Sequence, residues 1–222
     1  MLVHVHAYGP STGFPTARGD GPHRPWSTRG WLFSSCQVTI SQVRRQARDR
    51  YLYLGIALAK HNDFDAATNE FSEAMRLAPT DPAPLVEWAR AHLQQGRDTD
   101  ALDKLNQALQ LDPDNFQTLA FMAHVLAADD RPWVRDGSAA LGYARKASAL
   151  TGGTQPLVED VLAMAQAETG QFADAQNTVS NAIQLATTAG MKPDTIAEMQ
   201  KRLALYQKRL PWRESFQTGG KK

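Results

Sequence analysis

The side chains in this sequence able to do chemistry stand in groups that match no reactive pattern. Glu159-Asp160 and Asp129-Asp130 are neighbouring carboxylates, the residue type used in general acid–base work. They fall on helix surfaces or in turns, where adjacent acids are expected to be solvated. There is no Gly-rich phosphate loop, no GxSxG, no HExxH and no DxDxDG. His4, His6 and His23 are possible metal ligands, but their segment has no fixed geometry. Cys36 is the single cysteine, so neither an internal disulfide nor a zinc-site spacing is available. The sequence therefore predicts no enzyme, no cofactor and no metal. Arg18-Gly-Asp20 matches an integrin-type tripeptide, a length at which chance matches are common. Arg44, Arg45, Arg48 and Arg50 form a basic run. It is either a contact for phosphate or acidic peptide or a solvated helix face, and the second is the expectation.

The whole chain is close to neutral, with a formal charge of +1 over 222 residues. That gives no field pointing to nucleic acid. Charge is nevertheless uneven: residues 1–50 hold seven Lys/Arg and two acids, leaving 17 basic and 21 acidic residues for the rest. The body is thus mildly acidic behind a basic lead-in. No apolar run reaches the roughly 18–20 residues of a membrane helix, and the first residues lack the pattern of a secretion signal. No membrane insertion is expected, and the default compartment is the cytoplasm.

What positions these groups is a repeat. Gly55 and Ala89, Ala67 and Ala101, and Pro79 and Pro113 are each 34 residues apart. A 34-residue period built from two short helices marks a helical solenoid. The pattern predicts a first helix from about Ser41 to Lys60, then helices near 64–77, 82–95, 98–111, 115–128, 137–150, 156–169 and 172–188. Asp81 and Asp98 are natural N-caps, and Pro82 suits a first helical position. Small residues recur at helix crossings: Gly55, Ala89, Ala123 and Ala163 in the first helix of each pair, and Ala67, Ala101, Ala140 and Ala175 in the second. Leu54, Trp88, Met122 and Leu162 are expected to fill the space beside them. Ala101 and Ala140 are 39 positions apart, five more than the period, so the third turn is lengthened through Asp129–Ser138. Trp133, in that insertion, is either an exposed anchor or local packing for the longer turn, the second being the expectation. From Pro193 an apolar stripe of Ile196, Met199, Leu203, Tyr206 and Leu210 predicts a capping helix over 193–210, with Lys201, Arg202 and Lys208 away from the stripe. The expected division is an irregular segment over 1–39, repeats at about 48–81, 82–115, 116–153 and 156–190, the cap, and a tail over 211–222 that frays from Ser215.

This alternation resembles the tetratricopeptide repeat (TPR) family. The first pair supplies Tyr51, Leu54-Gly55, Leu58, Ala67, Phe71, Ala74 and Pro79, and the second Leu85, Trp88-Ala89, Gly96, Ala101, Leu105, Ala108 and Pro113. The resemblance implies an all-α, right-handed α-solenoid of about four hairpins plus a C-terminal capping helix. Arg135-Asp-Gly137, Thr169-Gly-Gln-Phe172, Arg202–Tyr206 and Pro211-Trp-Arg-Glu214 look like the terminal module of longer bacterial TPR proteins.

By the family pattern, the first helix of each pair lines a concave surface where partner segments bind. The implied groove holds Leu52, Ile56, Val86, Glu87, Arg90, Gln117, His124, Asp160 and Met164, with Asp49, Leu93 and Ala120 beside them. The carboxylate clamp of chaperone-binding members would place Lys, Asn and Arg at Leu52, Ile56, Glu87, Gln117 and Phe121. None fits, and Glu87 would repel a carboxylate. The implied function is a non-catalytic scaffold or adaptor for a protein or peptide of unknown identity. The alternatives are a C-terminal fragment of a larger membrane-associated or glycosyltransferase-type protein, and a self-association module. The oligomeric state is left open.

Overall fold

A computed structural model describes the backbone of residues 29–218 and the side chains of residues 40–218. The chain divides into a short unit, Met1–Thr39, and a larger one, Ile40–Lys222, which carries everything below. The described residues form nine helices and no strand: α1 (Arg29–Lys60), α2 (Phe64–Leu77), α3 (Ala83–Gln94), α4 (Asp98–Leu111), α5 (Phe116–Ala128), α6 (Gly137–Thr151), α7 (Pro156–Glu168), α8 (Phe172–Thr188) and α9 (Pro193–Gln207). From α2 to α8, each end falls within one residue of the sequence expectation. Helix α1 differs, beginning at Arg29 instead of near Ser41. No Gly or Pro stands between Trp31 and Leu54, so nothing in the backbone obliges a later start. The three N-terminal histidines and Arg18-Gly-Asp20 lie outside the described residues.

The elements form an α-solenoid of hairpins. Each helix from α2 on lies against the next, with α8 on α9 at the end, and α5 also lies against α7. The reason is the small-residue ladder. Ala67, Ala74, Ala89, Ala101, Ala108, Ala123, Ala140, Ala147, Ala163, Ala175 and Ala182 are all fully buried. Helix axes approach closely only where crossing side chains are small. At Gly55 the demand is stricter, since a Cβ there would stand 2.6 Å from the Phe71 ring. Beside the ladder Met122 is buried and Trp88 and Leu162 are half-buried, as expected, but Leu54 is 49% exposed. In later repeats this position is covered by the preceding hairpin. On α1, Leu54 shares an open apolar face with Ile40, Val43 and Tyr53.

Turn chemistry follows local rules. Asp63, Asn115 and Asp136 accept from the backbone N–H groups of Ala66, Thr118 and Ala139, capping α2, α5 and α6. Asp81 accepts from Ala83 N at 3.0 Å. Asp98 does not cap: Arg97 holds the N-cap position, and Asp98 turns to an arginine of the third turn.

Candidate functional site

A solvent-open groove crosses α3, α5 and α7. Arg90, Gln117, Ala120, Phe121, His124, Leu157 and Val161 line it. Apolar surface dominates, and Leu157 is 54% exposed. The Arg90 guanidinium lies 4.3 Å from the Phe121 ring centre and pairs with Glu87 at 3.4 Å, one helical turn away. Of the residues implied by the family pattern, Arg90, Gln117 and His124 line this groove. Ile56, Val86 and Glu87 are half-buried on α1 and α3. Leu52, Met164 and Asp160 are buried and present no free surface. Leu93 is likewise buried.

Asp160 is hidden for a chemical reason. It receives two hydrogen bonds from Arg202 of α9, Nε to Oδ1 at 2.9 Å and Nη2 to Oδ2 at 2.5 Å, with both residues buried. Burial pushes the Asp160 carboxyl up from the usual range, and the Arg202 charge and hydrogen bonds pull it back down. Three of the four paired acids, Asp129, Glu159 and Asp160, are therefore buried, and Asp130 alone is exposed, as expected. Asp129 is fully buried and takes a fork from Arg131 (2.8 and 2.7 Å), while Glu159 accepts from Ser148 at 2.5 Å. Arg202 sits on the dry side of α9, contrary to its expected place with Lys201 and Lys208.

The lengthened third turn is a polar clamp. Arg131 bridges Asp129 and Asp98, and Arg135 donates to the Asp129 carbonyl at 2.7 Å and pairs with Glu168 at 3.2 Å. Val134 is the buried apolar side chain of this turn. Trp133 is 76% exposed, so the expectation that it packs the turn is corrected.

The larger correction concerns the tail. Residues 211–218 do not fray but run back over the array as a strap. Arg213 meets Glu168 at the end of α7 at 2.6 Å. Glu214 exchanges backbone hydrogen bonds with the end of α5, donating to Ala128 O (2.9 Å) and accepting from Asp130 N (3.0 Å). Its carboxylate lies 2.6 Å from His124 Nε2, and Phe216 meets the His124 ring edge-on at 5.2 Å. Thr218 N donates to Gln94 O, at the end of α3, at 3.1 Å. The Thr218 hydroxyl reaches Asn62 in the turn after α1. Trp212 lies under the Arg202 guanidinium and donates to Glu214 at 3.1 Å. Burial raises the Glu214 carboxyl, but the His124 hydrogen bond and charge outweigh it and hold the group below the usual glutamate range.

The family model described as tetratricopeptide repeat matches residues 58–114. Residues 58–114 thus carry tetratricopeptide repeats, and the helices around them share the TPR fold. Solved TPR structures superpose on the chain. The PilF protein of Pseudomonas aeruginosa aligns with a TM-score of 0.61 and 19% identity, over 75% of this chain and 71% of that one. A thermophilic TPR protein of Thermus thermophilus gives 0.51 and 18%, over 72% and 99%. MamA from Desulfovibrio magneticus gives 0.52 and 16%, over 73% and 96%. These likenesses concern the fold. No curated protein matches the sequence. TPR arrays in general serve as protein–protein interaction scaffolds. Among the described residues no helix is long and apolar enough to cross a membrane.

Proposed function

We propose that this TPR array is a non-catalytic adaptor that holds a segment of another protein in the groove across α3, α5 and α7. The observation that carries the reading is the groove itself: a concavity lined by apolar side chains of two successive repeats, α5 and α7, with one arginine of α3 at the rim. Apolar anchors set into a preformed concavity, flanked by few charges, are what segment recognition uses. Arg90 already lies over the Phe121 ring, so an incoming carboxylate or carbonyl meets a guanidinium held in place. The lining lacks the Lys, Asn and Arg set of a chaperone-tail clamp. Partners are identified by affinity purification from the native host, followed by binding to purified variants. Arg90→Glu combined with Leu157→Asp is expected to abolish that binding with helical content unchanged. Unaltered affinity would put the partner elsewhere on the surface.

A second reading, self-association, is favoured by the open face of α1. Ile40, Val43, Tyr53 and Leu54 expose apolar surface where later repeats carry a neighbouring hairpin. Light scattering across concentration tests it, with Tyr53→Ser and Leu54→Ser expected to lower any oligomer. A monomer at every concentration rejects it.

A further inference from the structure

The strap touches the array with a period. Glu214 N donates to Ala128 O, and Thr218 N donates to Gln94 O. Ala128 and Gln94 are equivalent positions of successive repeats, each the last residue of its helix. A helix leaves its final carbonyls without internal partners. Stacked hairpins therefore present a row of acceptors, one set per repeat, and an extended chain answers it with an N–H every fourth residue. Side chains add selectivity between these backbone contacts. Arg213 meets Glu168, Glu214 meets His124, and Phe216 covers the His124 ring. At Gly96 a Cβ would run into the Gln217 side chain, so the strap lies hard against the turn after α3. Its root is a left-handed residue, Arg209 at φ 58°, followed by Leu210, half exposed, and Pro211. This joint sets the strap off from α9, and Trp212 and Phe216 are the apolar side chains that hold it to the array.

We infer that the rim formed by the ends of α3, α5 and α7 is a peptide-binding site now filled by the chain's own residues 211–218. Its partner is an extended segment of another protein with the same chemistry: a base and an acid in succession, then an aromatic two residues after the acid. Such a segment binds by replacing the strap. His124 belongs both to this rim and to the open groove, so a partner lying in the groove reaches the strap directly. The inference rests on the adaptor reading for its biological partner, but its test does not.

The probe is a labelled synthetic peptide spanning residues 209–218, added to the full chain. Trp212→Ala with Phe216→Ala releases the strap and leaves the rim intact. The released chain is expected to bind the peptide at least about tenfold more tightly than the unaltered chain, whose rim is occupied. Adding His124→Ala should remove that gain, and a peptide lacking the glutamate and phenylalanine side chains should bind about as poorly. Arg90→Glu with Leu157→Asp should leave peptide binding intact, separating this site from the groove. A folded, released chain that ignores the peptide overturns the inference and makes the strap a fixed part of the fold. Should the released chain fail to fold, amide exchange on the unaltered protein decides. Exchange at Glu214 and Thr218 faster than in α5 supports a detachable strap, and exchange at the global rate refutes it.

Discussion

Replacing Arg202 with methionine tests the least sequence-visible contact in the array. Methionine keeps an apolar stem on the dry side of α9 while removing the guanidinium. Asp160, 3% exposed, would lose both hydrogen bonds from its one arginine. Removing one member of a buried pair costs about 3–5 kcal/mol, because the other charge stays uncompensated. Loss of the cation over Trp212, 5.3 Å from the ring centre, adds on the order of 0.5–1 kcal/mol. Burial already pushes the Asp160 carboxyl upward, and without Arg202 it rises further. Above the unfolded pKa the folded variant then holds a proton that the unfolded chain has released. Its stability therefore falls as pH rises toward neutrality, and the deficit against the unaltered chain grows with it. Asp160→Asn in the same chain removes the stranded charge and should recover most of the loss. Urea unfolding followed by far-UV circular dichroism measures all four chains of the cycle. A single-variant cost below about 1 kcal/mol would refute the argument, since that is the range of an exposed pair. So would a double variant no better than the single.

Other expectations are independent of that pair. Gly55→Ala should lower the melting temperature by overpacking against Phe71, about 1–3 kcal/mol, although alanine is the better helix former; a rise would mean the ring moves freely. Burial first, and the Arg97 charge second, hold the His92 imidazole below its ordinary 6.5. Its stabilising contribution is then complete above that value and lost as pH falls toward the lower folded pKa, and thermal melts of His92→Gln should lack this slope. Glu214, held below its ordinary 4.5, should keep the strap docked above that value and release it as pH falls through the docked pKa; the exchange rate of the Glu214 amide reports this. Trp133→Ser should change stability by no more than about 0.5 kcal/mol, and a larger loss in urea would show a hidden packing role.

The repeat and its hairpins were legible in the chain because they rest on local chemistry repeated at fixed spacing. Small residues at the crossings, proline after the second helix of the first two pairs and aspartate or asparagine at the turns act within one or two helices. Each therefore leaves its mark at a fixed step, 34 residues between Gly55 and Ala89, stretched by the longer third turn. Helix limits and the buried ladder followed from that alone. Only the tertiary structure decided which polar residues are buried. Asp160 and Arg202 are 42 positions apart, and nothing near either one announces the other. Glu159, Asp129 and Arg202 look like surface charges to any periodicity, since a pattern registers polarity and not the partner that satisfies it. The tail was the extreme case. Its proline, charges and end position all predict fraying. It is held instead by acceptors that exist only once α3, α5 and α7 stand side by side, so no stretch of sequence encodes that row by itself.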